Sequence, residues 1–232
     1  MLIGFDADDT LWHSEVYFQA AHAEFERIVG AYVDLADARV HDALLSTEKR
    51  NVKLFGYGAK GMTLSLIETA LAITGQQLSG ADVQRLLDLG ISILTHPVEL
   101  LPGIEDAVAA VAQQHQLVLI TKGDLFHQEA KIRQCALREY FSRIEIVSEK
   151  DQATYQRLFA EFGVMPQQFL MVGNSLKSDI EPVLRLGGFG VHVPYAVTWA
   201  LEAEHGLDSN HPRLATATHA SEIPAAIASI IG

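Results

Sequence analysis

The chain opens on Ile3-Gly4-Phe5-Asp6-Ala7-Asp8-Asp9-Thr10-Leu11-Trp12, and this stretch decides the fold. Residues 1–5 form a short apolar run that ends where the carboxylates begin, which is typical of a fully buried strand. Three acidic residues therefore follow the carboxyl end of a predicted strand. In open parallel α/β sheets that edge binds ligands, because the loops there form a crevice above the buried strands.

Asp6, Asp8 and Asp9 would repel one another unless a cation, a proton or hydrogen bonds compensated their charges. A divalent metal ion does so most simply, since hard cations take oxygen ligands. The alternative is structural, because Asp8, Asp9 and Thr10 could instead cap a following helix. The stretch by itself leaves both interpretations open.

Composition narrows the classes of protein to consider. The chain has 232 residues, of which 49% are hydrophobic, enough for a substantial core in one large domain or in a core with an inserted domain. A net charge of −12 disfavours a general nucleic-acid-binding surface. The single cysteine, Cys135, excludes an internal disulfide. Without a signal peptide or an apolar window long enough to span a bilayer, we expect a cytoplasmic protein that does not contact membranes.

The region after the first strand is expected to be helical. Apolar residues at helical spacing predict helices over 14–30, 35–54, 64–74 and 81–94, with no convincing strand among them. About eighty residues of helix are too many for an ordinary crossover between parallel strands, which needs a dozen residues or slightly more. We therefore predict an inserted helical domain.

From residue 96 onward, apolar strands alternate with helices, which is typical of a parallel α/β sheet. Further strands are predicted at 117–120, 144–147, 169–172 and 187–193. Residues 199–213 are expected to be irregular. Helices are expected over 104–115, from 124 to about 137, from about 150 to 162 and over 223–231.

The first strand and its acidic cluster resemble the first signature of the haloacid dehalogenase-like (HAD) hydrolase superfamily, an apolar strand followed by Asp-x-Asp-x-Thr. Most members of this superfamily are phosphatases. The signature is present as Asp6-Ala7-Asp8-Asp9-Thr10. The resemblance implies that Asp6 is the nucleophile, that Asp8 is the general acid and base, and that Thr10 helps to hold the phosphoryl group. Asp9 is not a signature position, so we interpret it as a structural or supporting residue.

The second and third signatures follow in the expected order, each at the end of an apolar strand. The resemblance implies that the hydroxyl of Thr121 holds phosphoryl oxygens. It also makes Lys150, near the start of a predicted helix, the cation that offsets the charge of the carboxylates and the phosphate. Lys131 is the competing lysine, but it falls inside a predicted helix.

The fourth signature is similar to Gly173-Asn174-Ser175-Leu176-Lys177-Ser178-Asp179 and supplies acidic groups for a metal ion. Asp179 fits its later acidic position, whereas Asn174 stands where many phosphatases carry Asp. The resemblance implies Mg²⁺ held by Asp6, Asp179, Asn174 and the backbone carbonyl of Asp8. A neutral Asn carbonyl can bind Mg²⁺ but adds no charge, so weaker metal binding is expected.

The resemblance implies an α/β fold in which a Rossmann-like parallel-sheet core, residues 1–13 and 97–232, carries an inserted α-helical cap domain, residues 14–96. The cap is expected to close over the site and to contribute to substrate choice. Within it, residues 50–61 are expected to form either a mobile substrate-facing loop or a solvated helix connection. Its candidate substrate contacts are Arg50, Lys53, Tyr57 and Lys60.

The function that the resemblance implies is Mg²⁺-dependent hydrolysis of a phosphomonoester of a small metabolite, through an aspartyl phosphate. Asp8 favours this over a 2-haloacid dehalogenase, because a carbon–halogen bond needs no protonation of an oxygen leaving group. Asn174 slightly favours the dehalogenase, because metal-independent members of the superfamily need fewer acidic residues at this position. A phosphosugar mutase and a non-catalytic phosphate-binding regulatory protein are further alternatives, and the substrate and the oligomeric state are left open.

Overall fold

The computed structural model describes residues 1–35, 39–203, 205–208 and 210–231. Contacts divide the chain into two compact units. The first consists of Met1–Glu15, Val98–Lys122 and Gln128–Gly232, and the second of Val16–Pro97 and Gly123–His127. Residues 36–38 of the predicted helix 35–54 lie outside the described part.

The first unit contains a parallel sheet. In the described part of the chain its strands are β1 (Leu2–Phe5), β2 (Gln116–Lys122), β3 (Phe141–Val147), β4 (Phe169–Gly173), β5 (Phe189–His192) and β6 (Leu214–Thr216). Their order is β3-β2-β1-β4-β5-β6, and every neighbouring pair is parallel. The predicted α/β class with a Rossmann-like parallel sheet is confirmed.

Strand β1 is central and is packed on both faces. Ile3 and Phe5 are buried in one hydrophobic cluster, and Leu2 is buried in the cluster on the other face. Gly4 also faces the second cluster, where an added Cβ would lie 2.6 Å from Phe169 Cζ. Apolar residues on both faces explain why the strand is a continuous apolar run without alternation.

The order of the strands creates a switch point beside β1. The chain proceeds from β1 through β2 to β3 on one side, and then returns to place β4 and β5 on the other side. The loops that follow β1 and β4 therefore diverge and leave a crevice at the carboxyl edge of the sheet. Every site residue predicted from the four signatures lies near the carboxyl end of one of the strands β1 to β4 or in the segment that follows it.

The second unit is helical. It contains α1 (Glu15–Val29, from Val16 onward), α2 (Arg39–Phe55), α3 (Ala59–Ile73) and α4 (Gly80–Thr95). Apolar residues recurring at helical spacing form one core, which includes Phe25, Ile28, Leu66 and Leu86. Ser79 caps α4, since its hydroxyl accepts a hydrogen bond from the backbone N of Asp82 at 3.1 Å.

The remaining helices follow in alternation with the strands. They are α5 (Ile104–Ala112), α6 (Leu125–Gln134), α7 (Gln152–Phe162), α8 (Glu181–Arg185) and α9 (Ile223–Ile231). A π-helical turn, Leu176–Ile180, leads directly into α8. None of the helices described is both long and apolar enough to cross a membrane.

The predicted loop over residues 50–61 is wrong in extent. Helices α2 and α3 enter it from both sides, so only residues 56–58 lie outside a helix. Gly56 and Gly58 adopt φ values of 75° and 105°, which L residues with a side chain rarely adopt. These two glycines make the connection short, whereas their presence in the sequence suggested a long loop.

The edges of the sheet also differ from the prediction. Strand β3 begins at Phe141 instead of residue 144, and α6 ends at Gln134 before a 3₁₀ helix over Ala136–Tyr140. The three-residue strand β6 was not predicted. Both β3 and β6 are edge strands, where half-exposed positions and short length weaken the apolar pattern that identifies a strand.

Candidate active site

Asp6 lies at the centre of the carboxyl edge of the sheet. Its backbone N donates to Val172 O at 2.9 Å, which fixes the residue between β1 and β4. Its side chain is buried, and Oδ2 lies 3.1 Å from the hydroxyl of Thr10 while Oδ1 accepts a hydrogen bond from Lys150 Nζ. The loop after β1 folds back so that Thr10 contacts Asp6, and the first and last residues of the first signature are hydrogen-bonded to each other.

Lys150 joins two carboxylates. Its side chain is 2% exposed, and Nζ contacts Asp6 Oδ1 and also lies 2.7 Å from Asp179 Oδ1. The residue follows β3 and precedes α7, whose N-cap Asp151 accepts from the backbone N of Thr154. Burial alone would lower the pKa of Lys150, but the charges of Asp179 and Asp6 outweigh it and raise the pKa, so the amine is a cation.

Asp179 and Asn174 come from the turn after β4. Asp179 is 1% exposed, and its Oδ2 accepts from the backbone N of Ser175 at 3.0 Å. The backbone N of Asn174 donates to the Thr10 hydroxyl at 3.0 Å, and Asn174 Oδ1 lies 3.3 Å from that hydroxyl. The first and fourth signatures are thus joined through Thr10.

The electrostatics of Asp6 reflect its crowded position. Burial, followed by the negative charge of Asp179, raises the pKa of Asp6 to about 7, against the opposing effect of Lys150. The Asp6 and Asp179 carboxylates share a single buried amine, that of Lys150. Two carboxylates and one ammonium group leave net negative charge, which a further cation would compensate.

The donor set fits a magnesium ion. The Asp6 and Asp179 carboxylates both contact Lys150 Nζ. In the part of the chain that the structure describes, no group of three or more His, Cys, Asp and Glu side chains could hold a metal ion. Mg²⁺ binds through one or two carboxylates and keeps several waters, so Asp6, Asp179 and the neutral Oδ1 of Asn174 are suitable partners.

Thr121 follows Ile120 near the end of β2, the strand next to β1. Its side chain is buried, and its Oγ1 has no hydrogen-bond partner among the residues that the structure describes. A buried hydroxyl without a partner costs free energy unless a ligand satisfies it. This is the behaviour expected of a hydroxyl that binds a phosphoryl oxygen.

Asp8 is oriented differently from Asp6. Its Oδ1 accepts from Trp12 Nε1 at 2.6 Å and from Lys131 Nζ at 2.5 Å, and its Oδ2 accepts from Gln128 Nε2 at 2.8 Å. Burial raises the pKa of Asp8, but the charge of Lys131 and these hydrogen bonds outweigh burial and lower it. Sequence reasoning considered Lys131 only as a rival to Lys150 and did not identify Gln128.

Asp9 takes the capping role that the sequence left open. Its Oδ1 accepts from the backbone N of Ser14 at 2.8 Å and of Glu15 at 3.0 Å, where α1 begins. The residue adopts φ 62°. Burial, followed by the charge of Asp8, raises the pKa of Asp9 to about 7.

A second cluster at this edge was not predicted. Lys122, which ends β2, lies 2.6 Å from Glu202 Oε1 and 2.9 Å from Ser178 Oγ. Glu202 Oε2 also accepts from the hydroxyls of Ser175 and Ser178, both at 2.6 Å. Glu202 belongs to a short 3₁₀ helix in the region that was predicted to be irregular. The sequence there does not distinguish it from an ordinary surface glutamate.

Two of the four candidate substrate contacts in the second unit have ion-pair partners there. Arg50 pairs with Glu68 at 2.5 Å, and Lys60 pairs with Asp124 at 2.9 Å. Lys53 is exposed on α2. Tyr57 lies in the short connection between α2 and α3. A substrate role for these residues stays a prediction.

The family follows from comparison with known proteins. A family model described as haloacid dehalogenase-like hydrolase matches residues 1–187. The chain belongs to the haloacid dehalogenase-like hydrolase family, and the predicted family and hydrolase class are confirmed.

Three similar proteins illustrate the relationship. A crystal structure described as a haloacid dehalogenase-like family hydrolase from Xanthomonas campestris is 49% identical, with a TM-score of 0.91, and the match covers 99% of this chain and 95% of that chain. N-acylneuraminate-9-phosphatase from Mus musculus is 30% identical over 117 residues, which are 47% of each chain, so the match spans about half of that relative's length. The HAD-hydrolase YfnB from Bacillus subtilis, whose structure contains magnesium, is 18% identical with a TM-score of 0.60 over 96% of both chains and shares the fold.

Proposed function

We propose that this hydrolase cleaves phosphomonoesters of small metabolites in a Mg²⁺-dependent reaction, with Asp6 as the nucleophile. One arrangement carries the proposal. Asp6 is held by Lys150 and Thr10 at the switch point of the sheet, on the same edge as the unpartnered hydroxyl of Thr121. A nucleophilic carboxylate, a fixed cation and a free hydroxyl donor are the groups that phosphoryl transfer requires.

In the first half-reaction, Asp6 Oδ attacks phosphorus and the bond from phosphorus to the leaving oxygen breaks. In the reacting complex Asp8 must carry a proton although Lys131 lowers its pKa; it gives this proton to the leaving oxygen, and Asp6 becomes an aspartyl phosphate. Lys150 and the Thr121 hydroxyl hold the phosphoryl oxygens while charge develops on them. Thr10 keeps the Asp6 carboxylate oriented.

In the second half-reaction, water attacks the same phosphorus atom. Asp8 accepts a proton from this water, the bond from phosphorus to Asp6 breaks, and inorganic phosphate leaves. Asp8 thereby regains the proton that it gave away, and Asp6 returns to a carboxylate. The cycle uses one water and one phosphomonoester.

Asp6, Asp179, Asn174 and the backbone carbonyl of Asp8 would hold the magnesium ion. When bound, Mg²⁺ supplies positive charge that neutralises the phosphoryl oxygens. The two buried carboxylates that share one amine are the observation that supports this assignment.

The substrate class rests on the relatives and on the second unit. N-acylneuraminate-9-phosphatase is named for a phosphatase activity, and its match extends over about half of this chain. We infer that residues 14–96 act as a cap domain that selects the metabolite. Arg50, Lys53, Tyr57 and Lys60 are its candidate contacts.

Hydrolysis of p-nitrophenyl phosphate tests the proposal. We expect turnover with Mg²⁺, no turnover with excess EDTA, and loss of turnover in Asp6→Asn. Asp106→Asn, an exposed substitution on α5, is the matched control and should retain full activity. A wild-type protein without turnover, or with the same rate in EDTA, would contradict the proposal. Halide release from a 2-haloacid would then indicate the dehalogenase alternative.

A further inference from the structure

Asp6 and Asp8 are two residues apart but use separate sets of partners. Asp6 contacts Lys150 and Thr10, whereas the hydrogen bonds to Asp8 come from Trp12, Gln128 and Lys131. We call these three residues the donor triplet. It engages both oxygens of Asp8, so the carboxylate is fixed in direction as well as in position.

Two members of the donor triplet, Gln128 and Lys131, are buried and held in place by the fold. Gln128 and Lys131 are separated by three positions on α6, which places both side chains on one face of the helix. They are 3% and 9% exposed. Gln128 Nε2 also donates to Lys122 O at 3.0 Å, which fixes the orientation of its amide.

The charge of Lys131 also requires a partner. A buried ammonium is costly unless a counter-ion compensates it, and Asp8 Oδ1 lies 2.5 Å from Nζ. Nζ lies 5.9 Å from the centre of the Trp12 ring, where the π face adds a weaker attraction. Lys131 is therefore held at Asp8 by two members of the site, unlike a surface lysine.

We propose that Lys131 is a positioning residue that, with Gln128, directs the Asp8 carboxylate for the attack of water on the aspartyl phosphate. This inference rests on the proposed function. In that step Asp8 takes a proton from water, the oxygen of the water bonds to phosphorus, and the bond from phosphorus to Asp6 breaks. General-base catalysis of such a step contributes about 10²- to 10⁴-fold, provided that the base is within reach of the proton.

The two half-reactions therefore depend differently on Lys131. With p-nitrophenyl phosphate, the leaving p-nitrophenolate is stable without protonation, so formation of the aspartyl phosphate needs little help from Asp8. Hydrolysis of the aspartyl phosphate still needs a directed base. Loss of Lys131 should slow the second half-reaction selectively.

Rapid-mixing kinetics with p-nitrophenyl phosphate and Mg²⁺ test the inference. In Lys131→Met we expect a burst of about one p-nitrophenolate per enzyme at the wild-type rate, followed by steady turnover reduced at least about tenfold, because a misdirected group loses much of its effect. Lys131→Arg keeps a cationic donor and should recover most of the steady rate. Arg133→Met removes an exposed cation from the same helix and should match the wild type.

Gln128→Leu is a second variant that leaves no charge without a partner. It should show the same burst with a smaller loss of steady turnover, and circular dichroism establishes that each variant is folded. Equal loss of the burst rate and the steady rate would indicate a merely structural role and overturn the inference, as would wild-type kinetics in Lys131→Met. Absence of any turnover in the wild-type protein would overturn the proposed function and this inference together.

Discussion

Gly173 leaves the space that the Asp179 carboxylate occupies. A Cβ atom added at Gly173 would lie 2.3 Å from Asp179 Oδ2 and 2.4 Å from its Cγ, far closer than non-bonded atoms approach. Because Gly173 ends β4, the turn that follows can fold back until Asp179 reaches Lys150. The position of this carboxylate therefore depends on the absence of a side chain six residues earlier.

Gly173→Ala should displace Asp179 and reduce kcat at least about tenfold, since a shift of 1 Å in a site costs up to about a hundredfold. The Mg²⁺ concentration needed for half-maximal activity should rise as well. Steady-state kinetics over a range of Mg²⁺ concentrations measure both. Gly80→Ala is the control, because among the described residues, apart from its chain neighbours and its own helix backbone, no heavy atom lies within 4 Å of its added Cβ. Wild-type kinetics in Gly173→Ala would contradict this account of the glycine.

Asn174→Asp should tighten Mg²⁺ binding several-fold, because it replaces a neutral oxygen ligand with an anionic one. The expected result is a lower Mg²⁺ concentration at half-maximal activity. Without Mg²⁺ the variant should unfold at a lower temperature than the wild type, because another carboxylate joins Asp6 and Asp179. Asn210→Asp, on the surface, controls for the added charge. An unchanged Mg²⁺ requirement would mean that Asn174 does not contact the ion.

Asp9→Asn should make the protein more stable at neutral and alkaline pH. The pKa of Asp9 is raised to about 7, so the folded state holds this proton more tightly than the unfolded chain, whose pKa is near 3.8. The free energy of unfolding therefore falls as the pH rises from about 4 to 7. Asn removes this cost and tolerates the positive φ of 62°.

The expected gain for Asp9→Asn is roughly 2–4 kcal/mol at pH 8, because one pKa unit corresponds to about 1.4 kcal/mol, and it should vanish near pH 4. Urea unfolding at both pH values in EDTA measures it, with Asp106→Asn as the exposed control. A gain of equal size at pH 4 and pH 8 would show that the titration of Asp9 is not its cause.

Glu202→Gln should destabilise the first unit by about 1–3 kcal/mol at pH 7, because it removes the charge opposite the half-buried Lys122. Burial raises the pKa of Glu202, but Lys122 and the hydroxyls of Ser175 and Ser178 outweigh burial and lower it. Its stabilisation is thus complete at neutral pH and is lost as the pH falls through its folded pKa, below 4.5.

Urea unfolding of Glu202→Gln at pH 7 and in acid measures this effect. Glu161→Gln, at an exposed ion pair on α7, is the control and should change stability by less than about 1 kcal/mol. Equal stability of Glu202→Gln and the wild type at pH 7 would show that the Glu202 cluster contributes nothing to the fold.

The sequence predicted the central strands and the residues at their ends because these positions are fixed by short-range patterns. Apolar runs identify β1, β2 and β4, and the polar residues lie at or soon after their ends: Asp6 directly after β1, Thr121 near the end of β2, and Asp179 in the turn after β4. Since parallel strands align their carboxyl ends, residues distant in the chain can be expected at one edge. The resemblance to the family then distinguished Lys150 from other lysines.

Other parts of the site depend on side-chain directions that no local pattern reveals. The face of α6 that carries Gln128 and Lys131 could be assigned only once the position of that helix beside Asp8 was known. Glu202 belongs to a segment without a periodic pattern, so its contact with Lys122 could not be predicted from the sequence. The start of β3, the strand β6 and the short connection over residues 56–58 were not predicted for a related reason. Glycine and polar residues occur in loops as well as in edge strands and tight turns, so they do not identify one structure.

Trapping of a phosphoryl group on Asp6 tests the central claim most directly. The wild-type protein is mixed with a phosphomonoester and Mg²⁺, quenched in acid during turnover, digested and examined by tandem mass spectrometry. We predict a phosphoryl group on the Asp6 side chain, absent in Asp6→Asn and absent when EDTA precedes the substrate. Turnover of the phosphomonoester without a phosphorylated Asp6, or with the phosphoryl group on another residue, would contradict the account.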